Sequence, residues 1–239
     1  VTQWSFTSDE FSYVWSVETG LDRRPYPIDL APRGTVVTES EQAALGLEQR
    51  FSFNADPELT STLRFLARSD VTTISVFGDR FAEGQRQPDP ILALGVALGE
   101  WGAAVLATSE KVTVASCHAR AVPQQLAGAM GSVPAGSLQK MREPRRAVLE
   151  PDPEQWQETD DSRRATRLRQ ALRRPIDARG YITVTVLPEE AMSPPPVHRT
   201  WLDFTGDGRY LLAVGHDLTL APSGDDLVVR HLAQLARIR

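Results

Sequence analysis

The chain has 239 residues, a net charge of −5, 41% hydrophobic and 24% charged residues, and one cysteine, Cys117. That size supports a sizeable core without cross-links, the lone cysteine excludes an internal disulfide and suits a reducing compartment, and the negative balance argues against a general nucleic-acid binder. No apolar run reaches the length of a membrane span, and the opening "VTQWSFTSDEF" lacks the basic-then-apolar pattern of a secretion signal, so a cytoplasmic chain without membrane insertion is expected.

Residues 2–6 alternate apolar and polar and read as a strand. Thr7 and Glu10 form a capping box, so a helix follows with Phe11, Val14, Trp15 and Glu18 on one spacing. Two prolines around Tyr26 make the next segment extended, an expected edge element. A second box, Thr38 with Glu41, restarts helix. Asp56 and Pro57 open another by the N-cap and first-turn proline rule, with Leu59, Leu63 and Leu66 on its apolar face.

"VTTISVF" is a β-branched strand, and residues 78–90 form a long polar loop. "ILALGVALGEWGAAVLAT" resumes apolar strand structure, "SEK" turns it, "VTVASC" returns, and a helix begins after Pro123. Residues 131–161 are the least regular and read as a connection, partly ordered around Trp156. The plan then repeats: helix over "RRATRLRQALRR", strand over "GYITVTVL", long loop over 188–200, strands over "WLDF", "RYLLAV" and "LTLA", and a terminal helix over "DLVVRHLAQLARI".

Residues 104–130 laid on 210–236 without a gap give seven identities in 27 positions, among them Leu106/Leu212, Thr113/Thr219 and Leu126/Leu232. Composition alone gives roughly two or three. Each half runs helix, strand, long loop, strand, turn, strand, helix. The expectation is a single α+β domain over 1–239, a central antiparallel sheet with packed helices. Its two pseudo-two-fold-related halves cover about 57–130 and 163–236, with a connection over about 131–162.

Few motifs carry chemistry. "DFTGDG", Asp203 to Gly208, imitates the start of a calcium loop, but position twelve falls on Val214 and the flanks are strands, so a hairpin turn is expected. His118, His198, His216 and His231 lack metal-ligand spacing, and no Gly-x-Ser-x-Gly elbow, P-loop or complete dinucleotide fingerprint occurs. Cys117 and His118 are adjacent and point to opposite faces of a strand. The arginine-rich helix after acidic residues 150–161 reads as a solvated face ordered for the helix dipole. No nucleophile, base and orienter can be matched, so no enzyme, cofactor or metal is expected. The two long loops remain. Arg80, Phe81 and Arg86 on the first and Met192 on the second are the expected partner-binding residues, apolar groups framed by arginine.

In the order "FTSDEFSYVW", "RPYPIDLAPRG", "TESEQ", "DPELTSTLRFLARSDVTTISV", "GEWGAAVLATSEKVTV", "RGYITVTV" and "GRYLLA", the chain resembles the EspG family, cytosolic specificity chaperones of actinobacterial type VII (ESX) secretion. The match is one of pattern over nearly the whole chain. It implies a mixed fold of two pseudo-symmetric halves around an antiparallel sheet. It also implies a helical ESX substrate as partner, PE/PPE-like or WXG-type, whose apolar helical tip is shielded. The tip is expected against the sheet face, the 78–90 loop and the C-terminal helical region, with the chain itself a monomer or homodimer. The alternative is a small-molecule-binding α+β module without secretion partners.

Overall fold

The computed structural model describes residues 1–29, 46–81, 84, 87–150 and 159–238. Strand β1 (Thr2–Phe6) passes into helix α1 (Ser8–Thr19) through the expected box. Thr7 Oγ1 accepts from the Glu10 amide at 3.2 Å, and the Glu10 carboxylate accepts from the Thr7 amide at 2.8 Å. Gly20, at φ 72°, ends the helix in the left-handed conformation that glycine adopts without cost to a side chain. Residues 21–29 form no strand, in contrast to the expected edge element: Pro27 and Ile28 turn inward and the chain wraps the end of α1. The short helix α2 (Leu47–Arg50) follows. The Thr38–Glu41 box lies outside the described residues.

Asp56 caps α3 (Pro57–Leu66), accepting from the Glu58 and Leu59 amides. Its other oxygen accepts from Trp4 Nε1 at 2.7 Å, which ties β1 to α3. These bonds, the Leu59 amide foremost, hold the Asp56 carboxyl below the usual range. Then come β2 (Thr72–Arg80), β3 (Asp89–Leu98), β4 (Trp101–Ala107), β5 (Val112–His118) and α4 (Val122–Ala129). The long apolar run is thus two strands, turned at Gly99 with φ 60°. The rest of the chain supplies β6 (Met141–Pro144), α5 (Arg145–Leu149), α6 (Asp160–Ala171), β7 (Ile176–Thr185), β8 (Val197–Phe204), β9 (Gly208–Val214), β10 (Asp217–Pro222) and α7 (Asp225–Leu235).

The described strands form a ten-stranded sheet in the order β1-β5-β4-β3-β2-β7-β8-β9-β10-β6. Every pairing is antiparallel. The order reads alike from both edges. Strands β5, β4, β3 and β2 are answered by β10, β9, β8 and β7, and segments 104–130 and 210–236 occupy the same succession of strand, turn, strand and helix. The described residues of 131–161 are less irregular than expected. They hold β6, which lies on β10 at one edge as β1 lies on β5 at the other. "MREP" is too short and too proline-marked to announce a strand. Trp156 lies outside the described residues.

Register assigns the two faces. Val76 sits opposite Ala93 and Ile182, and all three join one core with Val122 and Leu126 of α4 and Val228 and Leu232 of α7. Leu94 and Val105, opposite each other on β3 and β4, face the other way and pack with Phe11 and Trp15 of α1 and Leu63 of α3. On that same face, Tyr210, Leu218 and Leu220 pack with Leu168 of α6 and Val148 of α5. One face is therefore covered at its centre by α4 and α7. The other is covered on its two wings, by α1 and α3 on one side and α5 and α6 on the other.

The centre is closed tightly on the α4–α7 side. Gly78 and Gly180 lie opposite each other on β2 and β7, and the Trp201 ring fills the space above them. A Cβ at Gly180 would meet Trp201 Cη2 at 2.2 Å and the Phe77 carbonyl at 2.4 Å. Beside it, fully buried Arg209 donates to both oxygens of Asp203, at 2.8 and 2.9 Å, and to the Met130 carbonyl at 2.9 Å. A buried guanidinium without these acceptors would be costly. Asp203 is thereby committed to Arg209. Asp207 accepts from the Ser137 amide, the Tyr210 hydroxyl and Arg174, which hold its carboxyl far below the usual range. The calcium-like spelling of this hairpin is thus structural.

Candidate functional site

Between the two covered wings, the face opposite α4 and α7 keeps a strip over β2 and β7 that no described helix covers. Alternation puts Thr73, Ser75, Phe77 and Asp79 of β2 on it, because Ser75 and Phe77 are registered with Leu94 and Leu92 of the α1–α3 core. From β7 it receives Thr185, Thr183, Tyr181 and Arg179, the partners of these residues across the ladder. Phe77 and Tyr181 sit directly opposite each other, 42% and 63% exposed, in the middle of the sheet. Central strands of a ten-stranded sheet do not usually present aromatic rings to water. A contiguous exposed apolar patch with polar margins marks an interaction surface.

Phe81 extends the strip. Its amide donates to the Asp177 carbonyl at 2.7 Å, prolonging the β2–β7 ladder by one step, and the Arg179 guanidinium lies 5.6 Å from its ring centroid. It is 38% exposed. From Asp177 to Thr185 on β7 the strip runs about 27 Å, and two to three strands give it a width of roughly 10–14 Å. That is the footprint of one α-helix about 18 residues long.

The opposite end is a hydroxyl bed. Thr73, Ser75, Thr183 and Thr185 floor a cavity of about 410 Å³, roofed by Leu21, Arg23 and Tyr26 of the segment after α1 and bounded by Leu66 of α3. Thr183 Oγ1 and His198 Nδ1 are 3.0 Å apart. The hydroxyls of Thr73, Ser75 and Thr185 have no partner among the described residues.

The four residues expected from the loops do not form one patch. Phe81 belongs to the strip. Arg80, one position earlier, points to the opposite face, where it donates to the Met130 carbonyl at 3.0 Å and closes the end of α4 with Arg209. Strand alternation thus sets it on the face opposite Phe81, where it remains exposed. Arg86 lies outside the described residues. Met192 is 91% exposed, but it follows the far end of β7, beside Leu187, Pro194 and Ile238. The two long loops leave opposite ends of the β2–β7 pair, because these two strands run antiparallel. The terminal helix α7 does not flank the strip: it packs beside α4 on the opposite face of the sheet. The C-terminal helix that borders the strip's side of the sheet is α6.

The strip's aromatic pair was missed from sequence, although a signal existed. Read with period two, "TTISVFG" and "GYITVT" place Phe77 and Tyr181 in the Thr/Ser phase, away from Ile74, Val76, Ile182 and Val184. The remaining candidates are scattered. His118 caps the turn at Arg120, His216 binds Asp217, and His231 accepts from Arg199 Nε at 3.3 Å, with burial lowering its pKa. Burial pushes the Cys117 thiol up.

The model of the EspG family matches residues 7–234. Among solved structures, the chain is similar to the Mycobacterium tuberculosis type VII secretion system chaperone EspG5, solved in complex with a PE25–PPE41 dimer. The two share 16% sequence identity at a TM-score of 0.59, over 98% of this chain and 95% of that one. At that identity the likeness is one of fold. No curated protein matches the sequence. No described helix is long and apolar enough to cross a membrane.

Proposed function

Because the chain belongs to the EspG family, we propose that it is a cytosolic specificity chaperone of a type VII (ESX) secretion system. Its client is a helical secretion substrate of the PE/PPE kind, whose apolar helical tip it keeps soluble without catalysis. One observation carries the reading: the uncovered strip, with Phe77, Tyr181 and Phe81 exposed in line along the centre of the sheet. The strip matches one helix in length and width, and the fold neighbour was solved in complex with a PE25–PPE41 dimer.

A standard protein interface buries roughly 1,600 Å² in total. The strip with its flanking helices α3 and α6 supplies one side of that area. Aromatic rings at the centre and Arg179 at one end give anchors of the type that dominate binding energies. Covering the client's apolar tip one-to-one prevents its self-association, and the mixed polar character of the strip lets the client leave again.

The experiment is co-expression with each PE–PPE-type pair encoded by the same genome, followed by affinity capture through the chaperone. Capture of one such pair at one-to-one stoichiometry, weakened by Phe81→Ala, is expected. Failure of every pair to co-purify would overturn the assignment.

A further inference from the structure

The strip is unlike at its two ends, and that difference assigns a direction to the client. This inference rests on the proposed function and adds to it. From its centre to one end lie Tyr181, Phe77 and Phe81, which suit the apolar side chains of a helix stem. At the other end lies the hydroxyl bed of Thr73, Ser75 and Thr185 under Tyr26, half-buried and without hydrogen-bond partners among the described residues. An apolar stem laid there would bury those hydroxyls unpaired, a loss rather than a gain.

One part of a helical hairpin has the complementary need. Each helix end leaves up to about four backbone groups without an intrahelical partner, and a turn carried into an interface must satisfy them. Serine and threonine hydroxyls both donate and accept, so a row of them serves a turn's free amides and carbonyls alike. The only charged side chain that lines the cavity, among the described residues, is Arg23. A cation favours the carbonyl end of a helix, the negative end of its dipole.

We infer that the client lies along the strip with the C-terminal end of its docking helix, and the turn that follows, seated over Thr73, Ser75 and Thr185 beneath Tyr26 and Arg23. The preceding helix runs back over Tyr181 and Phe77 and reaches Phe81 about 18 residues earlier, since the strip's roughly 27 Å is spanned at 1.5 Å per residue.

Site-specific photo-crosslinking tests this. Benzoylphenylalanine replaces Tyr26 in one variant and Phe81 in another, both exposed aromatic positions that tolerate the larger ring, and each is irradiated in complex with the co-expressed PE–PPE-type pair that the chaperone captures. Mass spectrometry should place the Tyr26 crosslink in the turn of the hairpin and the Phe81 crosslink about 18 residues N-terminal to it. Thr185→Val, which keeps the shape and removes the hydroxyl, should weaken binding about fivefold, the effect of one lost hydrogen bond.

The reverse order of crosslinks, or both within the stem, overturns the direction while the proposed function stands. Crosslinks in the expected order with binding unchanged in Thr73→Val, Ser75→Ala and Thr185→Val would overturn the hydroxyl bed as its cause. A captured client that crosslinks at neither position removes the strip as the binding surface and with it this inference, while the chaperone assignment, which rests on capture, stands.

Discussion

Replacing Tyr181 with alanine separates binding from stability. The ring is 63% exposed in the free chain, and an aromatic side chain buries roughly 150–250 Å² when fully covered. A client that covers the exposed part removes about 125 Å² from water, worth about 3 kcal/mol at 25 cal/mol per Å². Imperfect coverage and the hydroxyl bring this nearer to 2 kcal/mol, so Kd should rise about 30- to 150-fold. In the free chain the same substitution loses mainly the cross-strand contact with Phe77, about 0.2–1 kcal/mol, and in a domain of this size Tm should fall by about 1–3 °C. Calorimetric titration of the captured client into each chaperone, beside a thermal melt of the free chaperone, measures both. A Kd within about threefold of the parent, or a loss of affinity matched by a Tm drop above about 8 °C, would refute the reasoning.

Gly180→Ala should do the reverse: its Cβ collides with Trp201 and the Phe77 carbonyl behind the strip, so calorimetry should show a loss of about 2–3 kcal/mol and about 5–10 °C. Asp207 has a folded-state pKa depressed below its unfolded value by the Ser137 amide, the Tyr210 hydroxyl and Arg174. Its contribution is therefore present above about pH 4 and lost as pH falls further, so the stability gap between the parent and Asp207→Asn, read by urea unfolding, should narrow on acidification below that point. With burial raising its pKa, Cys117 should react with Ellman's reagent far more slowly in the folded chain than after unfolding, measured by absorbance at neutral pH.

What was legible in the sequence was local. Thr7 with Glu10 and Asp56 with Pro57 marked helix starts because caps are written in adjacent residues. The doubled succession of elements was legible because turns such as "SEK" and "GHD" punctuate both copies alike. On this correspondence we propose that the chain is one domain of two repeated units, 57–130 and 163–236, a reading that a strand-on-strand superposition tests. The site was less legible, since it depends on which elements cover which face. Phe81 could be found as an aromatic beside arginines, but Arg80 could not be told from it until alternation placed it on the opposite face under Met130. Met192 looked equivalent to Phe81 in its own half, yet β2 and β7 run antiparallel, so the loops that follow them leave at opposite ends. Phe77 and Tyr181 were hidden inside strands that read as core. Only the registers of β2 with β3 and β7 reveal that no described element covers them.

The central claim is that this strip holds the client, and side-chain footprinting by hydroxyl radicals measures it most directly. In the captured complex, Phe77, Tyr181 and Phe81 should lose most of their modification relative to the free chaperone. Leu227 on α7 and Val214 at the end of β9, both exposed and away from the strip, should be modified at unchanged rates. A complex in which Phe77 and Tyr181 stay as reactive as in the free chain, while residues around α7 become protected, would contradict the account and move the binding surface to the other face of the sheet.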